Sequence, residues 1–136
     1  MPYNFGFYPY FRVEDLAHAR VETTAETYFD FMIGKPQPFG HGQVGVSIPE
    51  GAPETGAAFL NVTAPTTLHI PEEGRKITME YGGEYPQLVL WTQAGKPFLC
   101  AEPINGTADG LNQGVYLTLG PGETKEATLR IRGELI

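Results

Sequence analysis

Seventeen glycines and twelve prolines among 136 residues interrupt this chain too often for long helices, and no other feature constrains the fold as much. The segment Arg12–Ile33 is free of both. Leu16-Ala17-His18-Ala19 can form a helical turn there, but Val21, Thr23, Thr24, Thr27, Tyr28 and Phe29 favour extended backbone. Elsewhere apolar and polar residues alternate with period two, the signature of half-buried strands. Ile77, Met79 and Tyr81 alternate with Lys76, Thr78 and Glu80. Ala127, Leu129 and Ile131 alternate with Thr128, Arg130 and Arg132, which predicts a half-buried strand with a charged outer face. Phe5, Phe7 and Phe11, with Tyr8 and Tyr10, predict an aromatic first strand broken at Pro9. Further strands are expected over 58–63, 66–70, 87–92, 98–102 and 115–119, separated by turn clusters such as Glu72-Glu73-Gly74 and Gly120-Pro121-Gly122-Glu123. Short strands at this spacing predict an all-β fold, an antiparallel β-sandwich. Residues 34–55 hold five glycines and four prolines and read as one long loop.

A chain of 136 residues and 14.9 kDa is expected to form a single domain over 1–136, long enough to bury a core. Apolar residues at 41% against 18% charged exclude intrinsic disorder. Nine basic residues face sixteen acidic ones. The basic residues are scattered, with only the pairs Arg75-Lys76 and Arg130/Arg132, so nucleic acid is not an expected partner. The single cysteine, Cys100, excludes an internal disulfide and a multi-cysteine metal site. The longest apolar runs, such as Leu88-Val89-Leu90-Trp91, are far too short to span a bilayer, so no membrane partner is expected. Met1-Pro2-Tyr3-Asn4 has neither the basic nor the apolar region of a signal peptide, which points to a soluble, cytoplasmic protein.

Little in the chain announces chemistry. His18, His41 and His69 lack the spacing of metal ligands. His69 reads as a solvent-facing strand residue, and Gly40-His41-Gly42 as a flexible turn. Phosphate loops, dinucleotide fingerprints and nucleophile elbows are absent from the sequence. Cys100, between Leu99 and Ala101, reads as a buried inert thiol. Glu102 is different: it ends the apolar run Phe98-Leu99-Cys100-Ala101 and precedes Pro103. A carboxylate at such a strand mouth is either a plain exposed strand end or, with buried neighbours that raise its pKa, a proton acceptor.

Several segments together resemble one family. Val89-Leu90-Trp91-Thr92-Gln93-Ala94-Gly95-Lys96-Pro97-Phe98-Leu99-Cys100-Ala101-Glu102-Pro103 is similar to the strand–turn–strand unit of the aldose 1-epimerase (galactose mutarotase-like) family. Gly106-Thr107-Ala108-Asp109-Gly110-Leu111-Asn112 resembles its Asp-Ala-Leu-Asn stretch, and Leu119-Gly120-Pro121-Gly122-Glu123 its Leu-x-Pro-Gly-Glu turn. Gly6-Phe7-Tyr8-Pro9-Tyr10-Phe11 resembles the family's Gly-x-His-Pro-Tyr-Phe. In order and spacing the motifs cover nearly the whole chain and match the family's C-terminal half. The resemblance implies a β-sandwich with a sugar pocket and a cofactor-free interconversion of the α and β anomers of an aldose. It places the base at Glu102 and the acid at Tyr8.

Three departures follow from the same comparison. The acid position holds Tyr8 where the family has histidine; the ordinary pKa values, about 10 and about 6.5, make full proton donation harder by about 4.8 kcal/mol, or on the order of 50-fold in rate for half-complete transfer. The family's substrate-binding aspartate aligns with Gly56, with Glu54 near enough in sequence to compensate. The family's N-terminal half, with further sugar-gripping residues, has no counterpart, so open strand edges and apolar faces lead to an expected homo-oligomer, a dimer in which a second copy stands in. Candidate sugar contacts are Tyr10 and Trp91, by stacking, with core packing the other reading of Trp91, and Arg12, as a phosphate clamp. His18 and His41 are the alternative acids. Three functions therefore stand side by side: a mutarotase acting on a small-molecule sugar, a sugar-binding module without turnover, and a structural or assembly protein.

Overall fold

The computed structural model describes residues 1–136 other than Gly40, Ala64 and Ala108, and the side chain of His41 is likewise outside the described residues. Gly40 and the His41 donor therefore lie outside the described residues, while the backbone of His41 and Gly42, expected as a flexible turn, is paired as strand. The strands are β1 (Pro2–Tyr3), β2 (Tyr10–Arg12), β3 (Arg20–Thr24), β4 (Thr27–Asp30), β5 (Lys35–Pro38), β6 (His41–Gly45), β7 (Glu54–Leu60), β8 (Thr66–Ile70), β9 (Arg75–Tyr81), β10 (Gln87–Gln93), β11 (Phe98–Ile104), β12 (Leu117–Thr118) and β13 (Leu129–Leu135). A 3₁₀ turn spans Pro71–Glu73, and one helical turn, α1, spans Gly110–Gln113.

Alternation along these strands makes two antiparallel sheets that share a core. The six-stranded sheet has the order β2-β11-β10-β7-β4-β5, the five-stranded sheet β13-β9-β8-β3-β6, and β1 pairs with β12 as a separate ribbon. Val21, Leu68, Ile70, Ile77 and Met79 from the five-stranded sheet pack with Phe59, Leu88, Leu90, Leu99 and Ala101 from the six-stranded one. Period two sends every second residue to the opposite face. Thus His69 points outward and pairs with Glu22 at 2.9 Å, as the sequence predicts. Glu80 on the outer face of β9 receives Arg130 at 3.2 Å and Arg132 at 3.8 Å. Among the described residues no helix is long and apolar enough to cross a membrane.

The expected long loop over 34–55 is corrected. Lys35–Pro38 pairs with β4, and His41–Gly45 pairs with β3. Both are edge strands, which is why Pro36 and Pro38 are tolerated: an edge strand has one side that needs no ladder donors. Among the described residues, 46–53 is the longest stretch of 34–55 that stays without a strand. The aromatic first strand contracts to β2, with Gly6 bridging Ile104 alone. The last strand starts two residues later than expected and runs on to Leu135, and Ile131 is exposed because β13 is an edge strand.

Candidate functional site

Residues 4–9 run as a strap along β11. Phe7 N donates to Pro103 O at 3.1 Å, Ala101 N to Pro9 O at 3.2 Å, and Asn105 N to Phe5 O at 3.0 Å. Phe5 N in turn donates to Asn105 Oδ1 at 2.8 Å. Phe5 and Phe7 pack against buried Tyr85 with ring centroids 5.5 and 5.9 Å apart. The close approach demands glycine at position 6, where a Cβ would lie 2.4 Å from Ile104 Cγ2 and 2.9 Å from Pro103 O. The docked strap brings Tyr8 to the same cleft as Glu102.

That cleft lies on the face of the six-stranded sheet turned away from the core and has a volume of about 1000 Å³. Register sets its floor. Glu102 on β11 stands opposite Val89 on β10, Val89 opposite Ala58 on β7, and Ala58 opposite Phe29 on β4. Ile104, Gln87 and Leu60 form the neighbouring row. Phe31 closes the β4 end, while Asn4, Thr107, Asp109 and Asn112 form a polar wall. Asp109 adopts the left-handed conformation, with φ of 57°, which aspartate tolerates better than most residues. Its Oδ1 accepts a 2.6 Å hydrogen bond from Asn112 Nδ2. Asn4 Nδ2 donates to Val115 O at 3.3 Å. Asn4 Oδ1 and Thr107 Oγ1 are buried and find no partner among the described residues.

Glu102 is only 7% exposed. Burial raises its pKa above the usual carboxylate value, and a hydrogen bond from the Cys100 thiol, two residues earlier on the same face, opposes part of that rise. Burial and the neighbouring carboxylate push the Cys100 thiol itself far up, which keeps it protonated and unreactive. Tyr8, by contrast, is 65% exposed at the cleft mouth. Among the described lining residues, Glu102 and Asp109 carry the only charges, and none is basic.

Among the described residues, the remaining sequence candidates lie outside this cleft. Tyr10 stands opposite Cys100 across the β2–β11 pair. With Phe98 and Trp91 it forms an aromatic cluster, with ring centroids 5.2 Å (Tyr10–Phe98), 5.5 Å (Trp91–Phe98) and 6.4 Å (Tyr10–Trp91) apart. Trp91 Nε1 donates to Glu54 at 3.2 Å, so this indole belongs to the outer face rather than to the core. Arg12 is exposed and paired with Glu14. His18 pairs with Asp15 at 2.7 Å, and neither Arg12 nor His18 lines the cleft. At Gly56 a Cβ would lie 2.9 Å from Phe31 Cδ2, so an aromatic ring covers the position where the family resemblance puts an aspartate. Phe29, Phe31, Gln87, Asn4 and Thr107 were not singled out from the sequence. Parity with Glu102 across the register reveals the strand residues among them once the pairing is known; nothing local marks the two polar ones.

A two-sheet antiparallel sandwich with a buried carboxylate at the floor of a cleft belongs to the class of β-sandwiches that carry an open cleft on the outer face of one sheet. Comparison with known families narrows this. The model of the aldose 1-epimerase family matches residues 1–132, and the chain belongs to that family. The Slr1438 protein from Synechocystis sp. PCC 6803 is 27% identical and superposes with a TM-score of 0.84, covering 100% of this chain and 46% of that one. A galactose mutarotase-like protein from Clostridium acetobutylicum, 18% identical, shares the fold with a TM-score of 0.71, covering 100% of this chain and 48% of its own. The chain therefore spans about half the length of these solved relatives. Among curated proteins none matches it.

Proposed function

We propose that this chain carries the proton-transfer pair of a mutarotase, with Glu102 as base and Tyr8 as acid, acting on an aldose without a cofactor. The observation that supports this reading is the meeting of these two side chains in one cleft, the carboxylate buried with a raised pKa and the phenol at the mouth. Glu102 removes the proton of the anomeric hydroxyl; that O–H pair becomes the carbonyl π bond as C1–O5 breaks. The departing ring oxygen takes the Tyr8 proton. Rotation about C1–C2 exposes the other face of the aldehyde. Reclosure runs the transfers backwards, returning one proton to the new anomeric oxygen and the other to the phenolate, so both groups are restored.

The absence of basic side chains among the described lining residues, together with Arg12 being paired to Glu14, supports a neutral rather than a phosphorylated sugar. A second reading, sugar binding without turnover, draws on the exposed Tyr8 standing where the family has histidine. Polarimetry of freshly dissolved α-galactose and α-glucose separates the two. Acceleration over the spontaneous rate is expected, falling at least about 100-fold in Glu102→Gln, the usual scale for losing a general base. Equal rates for the two proteins, with a sugar still bound, establish the second reading.

A further inference from the structure

The proposed reaction leaves the Cys100 thiol without a part. Period two puts Cys100 on the same face of β11 as Phe98 and Glu102, its second neighbours along the strand. In the register it stands between Tyr10 on β2 and Trp91 on β10. It is 0% exposed, so its surroundings are complete within this chain. A protonated thiol offers one weak donor and one weak acceptor. Trp91 Nε1 is engaged by Glu54, which leaves the Tyr10 hydroxyl and the Glu102 carboxylate as the polar groups beside the sulfur. Tyr10 donates to Sγ, and the S–H donates to Glu102. The two bonds run in one direction, from an exposed phenol to a buried carboxylate.

We infer that Cys100 is a positioning residue for Glu102: the thiol, itself held by Tyr10, binds one carboxylate oxygen and leaves the other free for the anomeric hydroxyl. The inference rests on the reading of Glu102 as base. Among the described residues Cys100 is the only hydrogen-bond donor acting on that carboxylate. A buried carboxylate has lost hydration, and a donor fixed beside it replaces part of that loss and favours the ionised form. The other titratable groups facing Glu102 are Tyr8 on the strap, Tyr10 on β2 and Asp109 across the cleft. Gln87, Val89 and Trp91 on β10 carry no charge, and Arg12, farther along β2, is paired with Glu14.

The test is the titration of the Glu102 carboxyl in the full chain, followed by carbon-13 NMR. Cys100→Ala should raise its midpoint by about one pH unit, the low end of what a hydrogen bond to an ionised group supplies, because a thiol is a weak donor. Cys100→Ser, which restores a donor, should recover most of that shift, and Tyr10→Phe should move the midpoint the same way by less. A midpoint that Cys100→Ala leaves in place, or that alanine and serine raise equally, overturns the inference. A second readout needs no variant: the single cysteine has one S–H stretching band in the infrared, which should move as Glu102 ionises. A band that ignores that titration overturns the inference as well. Polarimetry on the same samples keeps the two ideas apart. A Cys100-dependent midpoint without turnover, or with an acid limb of kcat/KM that does not follow it, leaves the thiol's hold on Glu102 standing and removes Glu102 as base. Turnover that Glu102→Gln abolishes, with a midpoint that Cys100→Ala does not move, does the reverse.

Discussion

Glu102 combines two properties that conflict in water: it is buried, and in the proposed role of base it must give up its proton. Burial disfavours the carboxylate and lifts the pKa, which strengthens the base once it is ionised. Activity should therefore rise with pH along an acid limb whose midpoint lies above the ~4.3 of an ordinary glutamate, as read from kcat/KM against pH. The same shift affects stability, with a definite sign. A folded-state pKa above the unfolded one means that the native protein holds the proton more tightly, so this group's stabilising contribution is complete in acid and is lost as pH rises through the native value. Glu102→Gln, with no charge to bury, should then melt above the unaltered chain at pH 7, and the difference should close near about pH 3.5. A variant that melts lower at neutral pH would show that the carboxylate is held by partners rather than penalised by burial. Tyr8 presents the complementary case. Replacing it with histidine lowers the cost of protonating the ring oxygen, so Tyr8→His should speed mutarotation on the order of 50-fold. An unchanged rate would mean that another group is the donor.

At the scale of elements, the position of Tyr8, the proposed acid, depends on a strap that has little regular structure of its own. The strap at 4–9 is held by backbone hydrogen bonds to β11 and by the absence of a side chain at Gly6. Gly6→Ala pushes a methyl group into Ile104 and Pro103, and overpacking of this kind costs about 1–3 kcal/mol. Chemical denaturation should show that loss. Mutarotation should fall further than the loss of folded protein explains, because the displaced strap takes Tyr8 with it. The sequence made some of this visible and not the rest, for physical reasons. A strand with one face in the core and the other in water, such as β9, announces itself by alternation because burial selects for it, whereas β10 and β11 show as short apolar runs because the cleft half-covers their outer face. The edge strands β5 and β6 escape because they face the core little and can carry Pro36, Pro38, Gly42 and Gly45. Glu102 was legible from its apolar run. Phe31 was not, because its place over Gly56 arises from the pairing of β4 with β7, a contact between residues far apart in sequence.

The molecule as a whole leaves apolar groups uncovered on more than one side. Ile131 and Leu135 are exposed on β13, whose seven residues form an open edge of the five-stranded sheet. Leu111, Val115 and Leu117 are exposed near the polar wall of the cleft. A long edge with apolar side chains invites pairing with another strand. A stable pair of subunits needs about 600–1,000 Å² from each, a modest share of the 7877 Å² that this chain exposes. Opposing association is the net charge of −7 on each copy, a repulsion that salt screens over about 10 Å at 0.1 M. We therefore expect self-association at micromolar concentration that strengthens with ionic strength. Light scattering should give a mass near twice 14.9 kDa at moderate salt, and the double variant Ile131→Lys, Leu135→Lys should return it to one chain by placing charge along the edge. A mass of one chain at micromolar concentration and moderate salt would rule the association out. A dimer that survives both lysines would move the interface to the exposed groups around Leu111 and Leu117.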